Sequence, residues 1–172
     1  AALWNYISQE EAFVGRNVDL GEKIGVKLIF HRIANTLMKI CFYLEKEYIP
    51  YSKWFTRSFK ELNCHNEINE TIQSILNCQN LNEVEDRICK GYQKVISLQN
   101  NLSLTKKIDF AVNDYYGRPY KVVFTDQVAD YLKASIQSVK LRKINLDYLS
   151  VIQNLEGIDM TDNQELLNKL FD

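Results

Sequence analysis

The sequence predicts an all-α fold, a compact multi-helix bundle around one long central helix. Three observations predict it. The 172 residues include only 6 Gly and 2 Pro, too few turn-formers for an all-β chain, which needs a turn signal roughly every 8–12 residues. Apolar residues recur mainly at helical spacing rather than in strict alternation. One segment, Leu37 to Leu44, is apolar on most of its circumference, as befits a helix that others surround. The 46% hydrophobic content excludes a disordered or low-complexity chain, and a chain of this length buries roughly 70% of its unfolded surface without staples.

Taken in order, Leu3, Ile7, Glu11 and Val14 follow helical spacing and predict a first helix over Leu3–Val14. Gly15-Arg16-Asn17-Val18-Asp19 reads as a break. Asp19 followed by Glu22 matches a capping box that opens a helix at Leu20. That helix is expected to reach Tyr48, about 40 Å at 1.5 Å per residue, before Pro50 ends it. Ser52 is the expected N-cap of a short helix to Leu62. Ile68, Ile72, Ile75 and Leu76 mark another. Asn80 with Glu83 forms a second capping-box pattern, opening a helix from Leu81 to Leu98 that carries Val84, Ile88, Tyr92 and Val95.

A polar loop spans Gln99–Lys107, and a short segment follows to Tyr116. Gly117-Arg118-Pro119 is a turn, and Tyr120–Phe124 is the one short extended segment expected. Thr125 caps a helix through Ile136, and weaker helices are expected near Leu146–Leu155 and Asn163–Phe171. With no repeat, linker or low-complexity segment, residues 1–172 read as a single helical domain. The start at Ala1-Ala2-Leu3, without Met and already helical in pattern, suggests a fragment of a longer protein.

Several function classes are disfavoured. A net charge of −1 provides no basic field for nucleic acid or acidic lipid, so no nucleic-acid partner is expected. No run of about 18 apolar residues exists for a membrane span, and no signal-peptide pattern is present. Cys41, Cys64, Cys78 and Cys89 lack CxxC spacing, which reads as reduced thiols in a cytoplasmic protein. His31, in the long helix, is expected to be a satisfied core residue. Cys64-His65 are adjacent, so their side chains diverge, and no second pair sits at zinc-ligand spacing. No metal site and no cofactor are expected in this chain.

Three constellations remain as substrate-binding candidates. Arg16 sits in a Gly-rich break, where an arginine serves as an anion donor as readily as a capping partner. Gly25, inside a helix at a cost of about 1 kcal/mol relative to Ala, implies a close approach to the backbone there. Lys53 beside Trp54, in Tyr48-Ile49-Pro50-Tyr51-Ser52-Lys53-Trp54-Phe55, pairs a cation with aromatic walls suited to a planar ligand. A packed corner between helices would use the same residues. Arg118, in Asp114-Tyr115-Tyr116-Gly117-Arg118-Pro119-Tyr120, is held by rigid neighbours, for recognition or for a structural ion pair.

These segments, in this order, resemble the C-terminal helical region of domain-of-unknown-function family 4037. The stretches that carry the resemblance are Ile7 through Arg16, Gly21 through Gly25, Leu37 through Phe42 and Tyr51 through Phe55. Asn100-Asn101-Leu102, Gly117-Arg118-Pro119-Tyr120 and Gly157-Ile158-Asp159 complete it. Departures are Gly25-Val26 where the family often has Gly-Ser, and Met160 where it has Gln. The resemblance implies a nucleotidyltransferase-like protein, distantly similar to the kanamycin nucleotidyltransferase type. Its N-terminal domain would carry the Gly-Ser motif and Mg²⁺-binding aspartates.

This chain would then be the helical companion domain, closing one wall of a cleft for a nucleotide or small-molecule acceptor. Arg16, Lys53, Trp54 and Arg118 would line that cleft. The alternative is a non-catalytic interaction module that binds a protein partner or pairs into a homodimer. Helical domains beside nucleotidyltransferases also resemble HEPN ribonucleases, which use a closely spaced Arg and His. Here Arg57 and His65 have seven residues between them and lie outside the motifs matched.

Overall fold

A computed structural model describes residues 1–143. Among them the fold is mostly helical, with one small antiparallel hairpin. Helix α1 spans Ala2–Asp19 and α2 spans Lys23–Leu44. The expected break at Gly15–Asp19 is therefore helix. Gly15 is buried because other elements press on it: an added Cβ would lie 2.5 Å from Glu85 Oε1 and 2.6 Å from Tyr120 Cδ1. The glycine marks close packing, not a turn.

The chain turns instead at Leu20-Gly21-Glu22. Glu22 N donates to Asn17 O at 2.9 Å and Gly21 N to Val18 O at 3.0 Å, with Gly21 at φ +71°. This is the Schellman pattern, which needs a left-handed residue after the helix. Asp19 thus ends α1 rather than capping α2, and no side chain caps the start of α2 at Glu22. The two helices run antiparallel, pinned by Arg32–Glu10 at 2.7 Å. Gly25 faces the Asn17 side-chain amide, the close approach its sequence position implied.

Helix α2 is the central element, in contact with α1, with α4 (His65–Leu76) and with α5 (Val84–Asn101). Its Val26, Phe30, Ile33, Leu37, Cys41 and Phe42 are buried. At Gly91 three helices meet, since a Cβ there would lie 3.0 Å from both Leu37 Cδ1 and Ile75 Cδ1. The helix stops at Leu44, short of Tyr48. Glu47 N reaches back to Phe42 O at 2.9 Å and Lys46 N to Tyr43 O at 3.1 Å, with Lys46 left-handed at φ 61°. A second Schellman turn ends α2 before Pro50 is reached.

Helix α3, Ser52–Phe59, begins after Tyr51 rather than after Ser52. It docks through Phe55 and Phe59, whose rings lie 5.5 and 6.3 Å from that of Phe42. A single 3₁₀ turn, Leu81–Glu83, leads into α5, and Asn80 caps it: its Oδ1 accepts from Asn82 N at 3.2 Å while its Nδ2 donates to Glu83 at 2.9 Å. Asn80 is the expected cap, but the capping box is not formed: Glu83 meets the Asn80 side chain, not its backbone N–H. Helix α5 continues through Gln99–Asn101, which were expected to be loop. Its Asn100 amide donates to Ile108 O and accepts from Ile108 N, both at 2.9 Å, fastening the loop that follows.

Strand β1, Asn113–Tyr115, pairs antiparallel with β2, Arg118–Val122. The turn is Tyr116-Gly117, with φ of 48° and 73°. Two left-handed central residues make the tight reversal that matches strand twist. Arg118 and Pro119 are already strand residues, and Phe124 lies outside the strand. Helix α6, Thr125–Ser135, packs on α1, and α7 spans Val139–Lys143. Phe124, left-handed at φ 56°, precedes α6, so Thr125 is its first residue and not its cap. The helices expected near Leu146–Leu155 and Asn163–Phe171 lie outside the described residues. His31 is exposed, with Nδ1 2.7 Å from Lys27 O; it falls on the outer face of α2 and is not a core residue. No helix among the described residues is long and apolar enough to cross a membrane.

Candidate functional site

The C-terminal half of α1 and the β1–β2 hairpin build one face. Arg16 is half-buried there. Its guanidinium carbon lies 5.5 Å from the Phe13 ring centroid and 5.3 Å from that of Tyr115, within cation–π range of both. Its Nε is fully shielded from solvent and has no hydrogen-bond partner among the described residues. A desolvated, unsatisfied donor on a cation costs free energy that a bound acceptor would recover.

The hairpin brings the second arginine to the same face. Arg118 pairs with Tyr115 in the strand register and is exposed. Tyr120, two residues on, donates its hydroxyl to Asp19 Oδ2 at 2.9 Å. That bond holds the Tyr120 hydroxyl above its usual range, burial adds to the effect, and the positive charges of Arg16 and Arg118 oppose it. Both arginines therefore act on one hydroxyl, although 101 residues separate Asp19 from Tyr120.

Beside Arg16, Tyr115, Tyr116 and Phe124 form an aromatic cluster with centroid separations of 4.8, 5.5 and 6.5 Å. With Phe13, Glu11 and Asp126 they line a cavity of about 180 Å³. Tyr116 stands at the hairpin tip, 75% exposed. At the inner end Glu11 is buried. Its Oε2 accepts from Val123 N at 2.9 Å and its Oε1 from Thr125 N at 3.0 Å. Burial pushes the Glu11 carboxyl up, and those backbone hydrogen bonds only partly counter it.

Lys53 and Trp54 lie elsewhere. On α3, Lys53 Nζ and the Arg57 guanidinium carbon sit 5.4 and 5.2 Å from the Trp54 ring. Trp54 Nε1 donates to the Tyr51 hydroxyl at 2.7 Å. The helix is anchored at Phe42, whereas Arg16 sits near the Asn17–Gly25 contact at the other end of α2. Seventeen residues at 1.5 Å each put about 25 Å between those two levels. The structure thus brings Arg16 and Arg118 together and leaves Lys53 and Trp54 at the opposite end of the bundle. Arg57 and His65 have different surroundings: the first covers Trp54, and the second stands edge-on to Phe59 at 5.4 Å.

Sequence reasoning passed over Glu11, Phe13, Tyr115, Tyr116 and Phe124 as site residues. Glu11 carried a signal, since an acidic residue stands on the apolar stripe of α1 where burial was expected. The aromatic cluster carried none, because it depends on the pairing of β1 with β2. Among the described residues, no group of three or more His, Cys, Asp or Glu side chains is placed to hold a metal ion.

No curated protein and no solved structure matches the chain. The similarity that is found covers α1, α2 and the start of α3, including Arg16, Lys53 and Trp54. It leaves out Arg118, and with it the motifs from Asn100 onward. Over residues 1–55 the chain matches the family described as Domain of unknown function (DUF4037).

Proposed function

We propose that the face built by Arg16, Arg118 and the hairpin tyrosines is one wall of a ligand cleft. The chain would be the helical companion domain of a nucleotidyltransferase-like protein of the cytoplasm, and the ligand's anionic group would sit at Arg16. The observation that carries this reading is the Arg16 guanidinium, within cation–π range of two rings, with a buried Nε that has no partner among the described residues. Arg118 adds a second positive charge, and Tyr116, 75% exposed, offers its ring to a planar base. The cavity of about 180 Å³ is smaller than the roughly 300–1,000 Å³ of complete small-molecule sites. Neither arginine lines that cavity, which includes Glu11 and Asp126, so in this reading the anionic group lies beside it at the arginines, a further domain completes the cleft, and any Mg²⁺ would belong to that domain.

The test is ATP binding in the presence of Mg²⁺, by calorimetric titration of the full-length protein that carries the further domain. Arg16→Ala and Arg118→Ala should each weaken binding about tenfold, equivalent to about 1.4 kcal/mol, while Lys53→Ala leaves it unchanged. Equal binding by the wild type and both arginine variants would refute the assignment.

A second reading, a non-catalytic module that holds another copy of itself, has one specific observation in its favour. Leu20, Ile24 and Leu28, at four-residue spacing across the α1–α2 corner, are 75%, 75% and 57% exposed, and apolar surface of this kind favours association. Light scattering over a range of concentrations separates the two, because a monomer throughout removes the dimer.

A further inference from the structure

The cavity beside the arginines is lined for the opposite charge. Four rings, those of Phe13, Tyr115, Tyr116 and Phe124, share its lining with the carboxylates of Glu11 and Asp126. Among the described residues, no lysine, arginine or histidine lines it. Arg16, outside that lining, shows that two of these rings attract a cation: its guanidinium carbon lies 5.3 Å from the Tyr115 centroid and 5.5 Å from that of Phe13. An acid in the first turn of a helix, where Asp126 stands on α6, is ordinary. The placement of the rings beside it is not. Tyr116 and Phe124 both sit on left-handed backbone, at φ 48° and 56°, where a bulky side chain is strained. The first central position of a hairpin turn such as Tyr116-Gly117 ordinarily takes Asn, Asp or Gly. Strain of this kind persists where surroundings impose it, and it gathers at ligand sites. Here it brings two rings edge to face at the cavity, with centroids 5.5 Å apart.

We propose that this cavity is an aromatic cage for a small organic cation, a free molecule that carries an alkylammonium or quaternary ammonium group. The rings present the negative faces of their π systems to the charge, and methyl groups on the nitrogen gain apolar contact with the same rings. Asp126, exposed and without an ion pair among the described residues, supplies the compensating charge from the solvent side. Glu11, already holding the Val123 and Thr125 N–H groups, closes the inner end. Two carboxylates repel an anion, and a neutral apolar group makes no use of them. A hard metal ion takes a shell of oxygen ligands in place of ring faces. At about 180 Å³ the cavity suits a cationic head group, since a drug-sized molecule fills roughly 300–1,000 Å³. The cage shares Tyr116 with the nucleotide wall proposed above but needs neither arginine, so each can fail without the other.

The experiment titrates the full-length protein with choline and, separately, with its neutral carbon isostere 3,3-dimethyl-1-butanol, following the ligand methyl resonances by saturation-transfer NMR. Choline should bind about tenfold more tightly than the isostere. Tyr116→Ala and Asp126→Asn, both at exposed positions, should each weaken choline binding by up to about tenfold. Trp54→Leu, which removes the ring that Lys53 and Arg57 cover, should leave it unchanged. No binding of choline, equal affinity for the isostere, or binding lost in Trp54→Leu and kept in Tyr116→Ala would each overturn the proposal. Sedimentation with phosphatidylcholine vesicles without binding of free choline would assign the rings to a lipid head group and overturn it too. The wild-type comparison of choline with its isostere decides the matter even if a variant does not fold. Choline binding without ATP binding removes the nucleotide wall and supports the cage, whereas ATP binding without choline binding removes the cage alone.

Discussion

Glu11 on α1 holds Thr125, 114 residues away, through the Thr125 backbone N–H at 3.0 Å and its hydroxyl at 3.3 Å. The same carboxylate takes Val123 N–H at 2.9 Å. These bonds satisfy backbone donors at the junction of β2 and α6, where the left-handed Phe124 interrupts both elements. They fasten the hairpin, and so Arg118 and Tyr115, to the helix that carries Arg16.

Removing that clasp should be costly. Glu11→Ala leaves two buried N–H groups without acceptors, at about 1–3 kcal/mol for each buried group left unpaired. A fall of several degrees in Tm is expected by calorimetry, and an unchanged Tm would show that the junction does not depend on Glu11.

The same residue should leave a pH signature. Burial raises the Glu11 carboxyl above its ordinary value of 4.5, so the folded state holds a proton that the unfolded chain has released. Its contribution to stability is therefore present below pH 4.5 and is lost as pH rises through the folded value. Urea melts from pH 4.5 upward should show this component in the wild type. They should show it absent in Glu11→Gln, which does not titrate.

Trp4 Nε1 donates to Gln99 Oε1 at 3.0 Å, with each residue only 1% exposed. Trp4→Phe keeps most of the apolar packing and removes the donor. Gln99, whose Nε2 already lacks a partner among the described residues, would then have its oxygen unpaired too. A loss of about 1–3 kcal/mol is expected from the chemical-denaturation midpoint.

Lys46 offers a change in the opposite direction. It occupies the left-handed position that ends α2, at φ 61°, where a side chain costs about 1 kcal/mol. Lys46→Gly removes that steric cost and adds some unfolded-state entropy, for a net gain of about 0.5 kcal/mol. A small rise in Tm with no change in helix content by circular dichroism is the expected outcome.

Gly15→Ala tests the close approach of the hairpin to α1. The new methyl would meet Glu85 Oε1 and the Tyr120 ring at 2.5 and 2.6 Å, so those side chains must move. Overpacking of this kind costs about 1–3 kcal/mol. The Tyr120–Asp19 hydrogen bond should weaken with it, which tyrosine titration followed by ultraviolet absorbance would register as a fall in the Tyr120 value.

What the sequence revealed was local, and what it concealed was pairwise. The Asn80 cap and the apolar circumference of Leu37–Leu44 depend on neighbours in the chain, and both were legible. Gly15 looked like a break because a sequence shows the missing side chain and not the Tyr120 and Glu85 that fill the space. Asp19 looked like an N-cap because three-residue spacing to Glu22 is visible while a bond to Tyr120, 101 residues on, is not. Likewise β1 contains no strong strand signal and exists through its pairing with β2. Arg16 and Arg118 were each legible as candidates by the rigidity of their settings. Their meeting, and the separation of Lys53 and Trp54 from them, came only with the fold.

The central claim, that ligand binds at the Arg16–Arg118 face, is tested most directly by photolabelling. The full-length protein that carries the further domain is irradiated with 8-azido-ATP and Mg²⁺, digested, and the labelled peptide sequenced by mass spectrometry. Label on the hairpin peptide containing Tyr115 and Tyr116, lost with excess ATP and in Arg16→Ala, is the predicted result. Label confined to the α3 peptide containing Lys53 and Trp54, or no label that ATP competes away, would contradict it.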